Sequence, residues 1–404
     1  MDFGLLGRKL AHSYSPQIHS LLGDYAYGLT EIEPEQLETF LLQKGFIGLN
    51  VTIPYKKAVL PYCTELSDTA QRMGCVNTIL KRPDGTLWGH NTDYFGFRSM
   101  VAKSGLSVDG KKVLVLGSGG ASNTAVTVLR ELGAEAVVVS RSGDDNYGNL
   151  CRHGDAAVIV NATPVGMYPQ NGIAPVDIEQ FPRLEGVLDL IYNPKRTKLL
   201  LDAESRGLVA MNGLWMLVAQ AKESAEYFTG KKIDNGRIEA IYRQLQNQME
   251  NIVLIGMPGC GKSTVARLLA DALGREAVDA DAEIISMAGC PIPEIFARGG
   301  EAKFRALETK VLERLGKASG LVIATGGGCV TRQENYRLLH QNSRIIWLTR
   351  DLSKLPTQGR PLSQNGSLEA MYQARKSLYE AFADHIVSND GKTQETLEAI
   401  RRLL

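Results

Sequence analysis

The sequence predicts an α/β protein built from more than one domain, with parallel sheets as its recurring layer. Three observations predict it. Short runs rich in Val, Ile and Leu recur at Lys112 to Gly117, Ala136 to Ser140, Ala157 to Asn161, Val187 to Leu190, Ile252 to Gly256 and Leu321 to Thr325, as expected of strands buried on both faces. Helical patterns lie between them. Val265, Leu268, Leu269, Ala272 and Leu273 make one apolar face at helical spacing, and Ala125, Val128, Leu129 and Leu132 make another. The chain has 404 residues, more than one hydrophobic core supports, so the alternation of strand and helix must build two or three α/β cores.

Two breaks divide the chain. Turn residues from Ser104 to Lys111 precede the strand at Lys112, and the helical pattern of Gly236 to Glu250, with Ile238, Ile241 and Leu245 on one side, runs straight into a new strand. The expected domains are 1–104, 105–248 and 249–404, the helices that close the second returning to the first. No Gly/Ser or Pro-rich linker separates the last two, which leaves little slack between them. Thr393 to Leu404 reads as a closing helix.

Composition narrows the function classes. The 45 Lys and Arg against 44 Asp and Glu give no net field for nucleic acid or an anionic membrane. The N-terminus MDFGLLGRKLAHSYS carries no secretory apolar region and no apolar run of transmembrane length occurs, so a cytosolic protein is expected. The six cysteines, Cys63, Cys75, Cys151, Cys260, Cys290 and Cys329, form no C-x-x-C pair, and the six histidines show no H-E-x-x-H spacing. Zinc sites and disulfides are therefore not expected.

The C-terminal domain opens on chemistry. Gly256-Met257-Pro258-Gly259-Cys260-Gly261-Lys262-Ser263 meets the G-x-x-x-x-G-K-[ST] pattern between a strand and an amphipathic helix. Backbone N–H groups from Gly259, Cys260, Gly261, Ser263 and Thr264 would surround the phosphates of a nucleoside triphosphate, Lys262 would reach the terminal ones, and the Ser263 hydroxyl would ligate Mg²⁺. Further along come Asp279-Ala280-Asp281, the stretch Gly300 to Glu308 containing Arg305, the triplet Gly326-Gly327-Gly328, Gly359-Arg360-Pro361-Leu362, and Ala374-Arg375 to Tyr379. In that order these motifs resemble shikimate kinase.

The resemblance runs from Asn251 nearly to the end. It implies that Asp279 helps hold Mg²⁺ and that Asp281 binds substrate hydroxyls and draws the proton from the attacking one. Arg305, Arg375 and the backbone of Gly326, Gly327 and Gly328 would hold the shikimate carboxylate and ring, in keeping with the bidentate fit of guanidinium to carboxylate. Arg360 matches the lid arginine that closes over ATP. One departure stands out: Leu352 to Gln358 is short and lacks the arginine the family often carries ahead of the lid, for which Lys354 is the nearest electrostatic substitute. Cys260, beside Lys262 at a helix N-terminus, is either an activated thiol or a small filler.

The middle of the chain carries a dinucleotide turn. Strand Lys112 to Gly117 runs into Gly117-Ser118-Gly119-Gly120-Ala121-Ser122 and a helix, Ser122 replacing the third glycine of G-x-G-x-x-G. The next strand ends at Ser140-Arg141-Ser142, where a cation in place of the usual acidic residue favours the 2′-phosphate of NADP.

Around that turn lie His12-Ser13-Tyr14-Ser15-Pro16, Asn50-Val51-Thr52-Ile53-Pro54-Tyr55-Lys56, Val76-Asn77-Thr78, Asn91-Thr92-Asp93, Asn161 to Met167, Tyr192 and Met216 to Gln220. In this order they resemble shikimate dehydrogenase. The resemblance assigns Ser13 and Ser15 to the substrate carboxylate, Thr52, Asn77 and Gln220 to hydroxyls, Tyr192 to the substrate's vicinity, Lys56 and Asp93 to catalysis, and Asn161, Thr163 and Met167 to the cofactor NADP(H). Hydride arriving at a ketone carbon leaves charge on oxygen, which Lys56 can quench and Asp93 can orient.

Together the halves imply reduction of 3-dehydroshikimate and then phosphorylation of shikimate, both small-molecule partners. Alternatives are a quinate dehydrogenase fused to a kinase of another small polyol, and a ligand-sensing scaffold. Even charge offers no electrostatic track between sites, so shikimate released to solvent between steps is expected. The oligomeric state stays open.

Overall fold

A computed structural model describes residues 2–10, 13–355 and 368–404. They divide into two compact units. The first comprises Met1–Met167, Ile173–Tyr192 and Thr197–Gln244, and the second Tyr168–Gly172, Asn193–Arg196 and Leu245–Leu404.

The first unit holds two sheets. Its N-terminal elements are β1 (Phe3–Gly7), α1 (Ser15–Leu22), β2 (Tyr27–Glu31), α2 (Leu37–Gln43), β3 (Gly48–Val51), β4 (Glu65–Leu66), α3 (Asp68–Met73), β5 (Thr78–Lys81), β6 (Leu87–His90) and α4 (Asp93–Ser104). The strands form a mixed sheet in the order β2-β1-β3-β5-β6-β4, with β5 antiparallel to both β3 and β6. After it come β7 (Lys112–Leu116), α5 (Gly120–Glu131), β8 (Glu135–Val139), β9 (Val158–Asn161), β10 (Gly186–Asp189), α6 (Lys198–Ser205), β11 (Val209–Met211) and α7 (Leu214–Thr229), and then α8 (Gly236–Met249), which belongs to the first unit as far as Gln244 and to the second from Leu245. This second sheet is wholly parallel, ordered β11-β10-β9-β7-β8. The strand order reverses beside β7, so the crevice beyond its carboxyl end is a ligand position. Helix α7 returns to pack on α1, α4 and β5.

The second unit contains β12 (Asn251–Ile255), α9 (Lys262–Leu273), β13 (Ala277–Asp279), α10 (Ala280–Ala288), α11 (Ile292–Lys317), β14 (Val322–Ala324), α12 (Glu334–His340), β15 (Ser343–Thr349), α13 (Leu368–Phe382), β16 (His385–Ser388) and α14 (Thr393–Arg401). Its parallel sheet runs β13-β14-β12-β15-β16, with Ile252, Val253, Leu254 and Ile255 buried in the centre. Gly300 breaks α11 with a left-handed φ of 65°.

The predicted strands stand within a residue or so of the observed ones, because a run buried on both faces has one register that keeps it dry. The apolar face predicted for α9 is corrected. Val265 and Leu269 are buried, but Leu268 is 38% exposed and Ala272 faces solvent, while Lys262, Ala266 and Ala270 are buried instead. The helix turns its small alanines inward, which allows close packing on β13 and β14, and it must aim Lys262 inward as well.

No helix among the described residues is long and apolar enough to cross a membrane.

Candidate active sites

In the first unit, Asp93 is the first residue of α4 and 8% exposed. Its Oδ2 accepts from Lys56 Nζ at 2.6 Å. Both partners are fixed from behind. Val76 N–H donates to the Lys56 carbonyl (2.8 Å), Thr92 N–H to Asn77 Oδ1 (2.8 Å) and Asp93 N–H to Asn91 Oδ1 (3.0 Å). Thr92 Oγ1 donates to Gln220 Oε1 on α7 (3.3 Å), and Asn50 Nδ2 donates to Thr78 Oγ1 and Ser224 Oγ (3.1 and 2.8 Å). A buried network in which each amide and hydroxyl finds partners holds one geometry, so Lys56 after β3, Asn77 before β5, Asp93 on α4 and Gln220 on α7 come together.

Ser13 and Ser15 open α1, the Ser15 N–H donating to Ser13 Oγ at 3.2 Å. Between them Tyr14 meets Tyr192 edge-on, with ring centroids 6.1 Å apart, and burial raises both phenol pKa values. Thr52 leaves β3 with its N–H donating to the Leu6 carbonyl (2.9 Å). Hydroxyls, amides and one ammonium suit a polyol bearing a carboxylate.

The cofactor turn follows β7. Gly117 has φ 106°, and a Cβ there would meet the Ala162 carbonyl oxygen at 3.2 Å, so only glycine fits without strain. Beside Gly119 and Gly120 a Cβ would meet nothing within 4 Å. That open space, reached by the first-turn N–H groups of α5, fits a diphosphate. Ser118 and Ala121 flank these glycines, and Ser122 is fully buried against the sheet. At the end of β8, Ser140 is buried while Arg141 and Ser142 are exposed, an exposed guanidinium that fits a 2′-phosphate. Across the crevice Asn161 Oδ1 accepts from the Thr163 N–H and hydroxyl (3.0 and 2.7 Å), and Met167 is 46% exposed.

Asp189, which the sequence reading missed, stands behind this loop. Its carboxylate accepts from Asn161 Nδ2 (3.0 Å), Ile191 N–H (3.0 Å) and Thr197 Oγ1 (2.6 Å), and burial pushes its pKa up to about 6 despite these donors. An acidic residue closing an otherwise apolar strand was the available signal. His19 is its opposite. Stacked on Tyr27 with centroids 3.8 Å apart and 1% exposed, it is pushed by burial down to about 3.

These two groups give opposite pH slopes. The stability that neutral His19 carries is complete above its ordinary 6.5 and is lost as pH falls toward 3, on the order of 4 kcal/mol. The contribution of Asp189 is complete below its ordinary 3.8 and is lost as pH rises through about 6. Urea midpoints for unfolding of the first unit should therefore fall on acidification below pH 6.5, less steeply in His19→Gln and more steeply between pH 4 and 6 in Asp189→Asn. An unchanged slope in His19→Gln would contradict this assignment.

The second unit contains a cleft of ≈ 690 Å³ between the P-loop, α10, α11 and the Gly326 turn. Gly259 and Gly261 take φ of 84° and 102°, which wraps the loop round an anion-sized space at the start of α9. Lys262 Nζ donates to the Gly256 and Met257 carbonyls (2.9 and 3.0 Å). Ser263 Oγ donates to Asp279 Oδ2 at 2.6 Å, and Asp279 Oδ1 accepts the Asp281 N–H (3.0 Å). A hydroxyl and a carboxylate oxygen this close, beside Thr264 on the cleft wall, fit a hard cation.

Opposite, the glycine triplet lies against charged groups. A Cβ on Gly326 would be 3.0 Å from Asp281 Oδ1 and 2.8 Å from Glu308 Oε1, and one on Gly328 would collide with Arg305 Nη2. Arg305 Nη1 donates to Glu308 Oε2 at 2.6 Å, and Arg375 Nη1 and the Tyr379 hydroxyl both donate to the Gly327 carbonyl (3.1 and 2.5 Å). Burial raises the Glu308 pKa against the pull of Arg305. For Arg305 the lowering by burial is outweighed by Glu308 and Glu301, which raise its pKa.

The structure bears on two of the expectations for this cleft and leaves a third outside it. The Cys260 thiol is fully buried in the core, so it is a filler and only its backbone belongs to the phosphate loop. Lys354 is held by the carbonyl and carboxylate of Asp390 (3.2 and 3.6 Å) and does not line the cleft; Arg350, at the end of β15, does. Arg360 lies outside the described residues. Arg350 was not among the expected residues, although a cation at the carboxyl end of a strand in an open sheet is itself a ligand-site signal.

Residues 5–79 match the model of the shikimate dehydrogenase substrate binding domain, and residues 258–404 match that of shikimate kinase. Clostridium perfringens strain SM101 has a shikimate dehydrogenase (NADP(+)) that is 35% identical over 267 residues, spanning 60% of this chain and 98% of that protein. Among solved structures, shikimate dehydrogenase 1 of Peptoclostridium difficile is 41% identical, with TM-score 0.56 over 61% of this chain and 98% of that one. The Thermus thermophilus shikimate 5-dehydrogenase in complex with NADP(H) and shikimate is 32% identical, with TM-score 0.56 over 60% and 99%. With the Lys56–Asp93 pair in one unit and the P-loop cleft in the other, the chain belongs to the shikimate dehydrogenase family and carries, fused behind it, a shikimate kinase domain.

Proposed function

We propose that this chain is a bifunctional enzyme that reduces 3-dehydroshikimate to shikimate and then phosphorylates the 3-hydroxyl of shikimate. One observation carries the reading: the same chain holds a Lys56–Asp93 proton-donor pair at 2.6 Å and a P-loop cleft lined by Arg305 and Arg375. Residues 1–104 would serve as substrate domain, 105–248 as cofactor domain and 249–404 as kinase.

In the reductase, bound NADPH supplies hydride. Lys56 Nζ then gives its proton to the oxygen that gains charge, while Asp93 keeps the ammonium aimed at that oxygen. Ser13 and Ser15 would hold the carboxylate, and Thr52, Asn77, Gln220 and Tyr192 would fix the ring, so the carbonyl carbon faces the Asn161–Thr163 side of the crevice. Arg141 would favour NADP(H) over NAD(H) by pairing with the 2′-phosphate.

In the kinase, ATP with Mg²⁺ supplies the phosphoryl group. Asp281 accepts the proton of the 3-hydroxyl, and Arg305 and Arg375 hold the carboxylate so that this hydroxyl points at the P-loop. Lys262 and the loop N–H groups meet charge as it develops, with Ser263 and Asp279 holding the cation. A cytosolic setting with small-molecule partners, without nucleic acid or membrane, completes the reading; the even charge and six unpaired thiols support it.

A single incubation tests the whole. Protein supplied with 3-dehydroshikimate, NADPH, ATP and Mg²⁺ should oxidise NADPH and accumulate shikimate 3-phosphate. Added labelled shikimate should dilute into the product, because the intermediate is released. Active protein that makes no shikimate 3-phosphate would sink the proposal.

A further inference from the structure

We infer that Arg350 is a phosphate-binding residue of the nucleotide site, gripping the phosphates that stay with ADP. The inference rests on the kinase reading of this cleft. Leu352 to Gln358 lacks the arginine expected ahead of the lid, and Lys354, the substitute nearest in sequence, is tied to Asp390. The cleft nonetheless has a guanidinium on that side.

Its placement follows from the sheet. Strand β15 lies beside β12, with Trp347 in register with Ile255, so the chain leaves β15 where the P-loop leaves β12. A Cβ on Gly256 would lie 2.4 Å from the Leu348 carbonyl oxygen, two residues before Arg350. On the next strand over, Asn389 Nδ2 donates to the Cys260 carbonyl (2.7 Å), while the Asn389 N–H donates to the Thr349 carbonyl (2.8 Å). The ends of β15 and β16 thus brace the P-loop on one flank. Arg305, Asp281 and the Gly326 triplet occupy the other flank, through β13 and β14, where the phosphoryl acceptor belongs. A cation on the β15 flank faces the nucleotide and not the acceptor.

Arg350 lines the cleft with Gly259, Gly261 and Lys262, and its Nε is buried with no partner among the described residues. A buried guanidinium N–H without an acceptor is costly and selects for an anionic oxygen arriving beside it. A phosphate supplies that oxygen, whereas the face of a purine does not use the Nε–H.

The test is binding of ADP and of adenosine to the full chain, with shikimate KM as a further readout. Arg350→Ala should weaken ADP about tenfold or more and leave adenosine and the shikimate KM within about twofold. Arg350→Lys, which keeps charge without the planar fork, should fall between Arg350→Ala and the unchanged protein. Equal weakening of ADP and adenosine would assign Arg350 to the base and overturn the phosphate assignment. An unchanged ADP affinity, or an effect confined to shikimate KM, would overturn it altogether. If Arg350→Ala melts below assay temperature, Arg350→Lys decides: ADP weakened about threefold or more with adenosine unchanged supports the inference, and no change in ADP refutes it. ADP binding by the unsubstituted protein checks the kinase reading separately.

Discussion

Replacing Lys56 by alanine is expected to lower kcat for NADPH-dependent reduction by about 10²- to 10⁴-fold, the range for losing a positioned general acid, with shikimate phosphorylation untouched. The ammonium is the charged donor closest to Asp93, at 2.6 Å. Because Asp93 is 8% exposed at the start of α4, water can replace Lys56 as a proton source but not with its orientation. The loss should appear mainly in kcat, since the substrate is held by other groups. Asp93→Asn should lose less, because the ammonium remains and only its aim is relaxed. Steady-state kinetics of both reactions on each variant decide the matter. A Lys56→Ala enzyme within tenfold of the original would remove Lys56 from the chemistry.

The second large effect is expected in the kinase unit, where Arg305→Ala should abolish measurable phosphorylation and also destabilise the fold by about 3–5 kcal/mol. Glu308 is fully buried and its Oε2 accepts from Arg305 at 2.6 Å. Removing the arginine leaves a carboxyl whose burial already raises its pKa. That group can escape its cost by taking a proton. The destabilisation should therefore be smaller at pH 5 than at pH 8, since a carboxyl with a raised pKa gives up stability as pH climbs through it. Adding Glu308→Gln to Arg305→Ala should restore much of the stability and none of the activity. Recovery of phosphorylation in the double variant would show that Arg305 only shields Glu308 and does not hold substrate.

Much of this architecture was legible in the residues. Strands such as Lys112–Leu116 and Asn251–Ile255 were found because continuous apolar runs have few alternatives. The P-loop was found because glycines at fixed offsets meet a backbone requirement that is local: Gly256 and Gly261 do adopt positive φ, 143° and 102°. The face of α9 was misread because leucines outweighed alanines, although the alanines are what the sheet packs against. Arg350 and Asp189 were missed because each draws its meaning from a neighbouring strand, Arg350 from β12 and Asp189 from Asn161 on β9.

The sequence by itself determined the α/β class, the phosphate loop and the dinucleotide turn, set by local backbone geometry or by the period of apolar residues, while the candidate catalytic side chains were named by the family resemblance of their motifs. Only the tertiary structure decided that Lys56 reaches Asp93 across 37 positions and that Arg305 is neutralised by Glu308. It also decided that Arg350, at a strand end, lines the cleft and that Cys260 is buried in the core. The physical reason is common to all four: charge pairing and burial act over a few ångströms in space, and no spacing along the chain encodes which distant side chain will fill that distance.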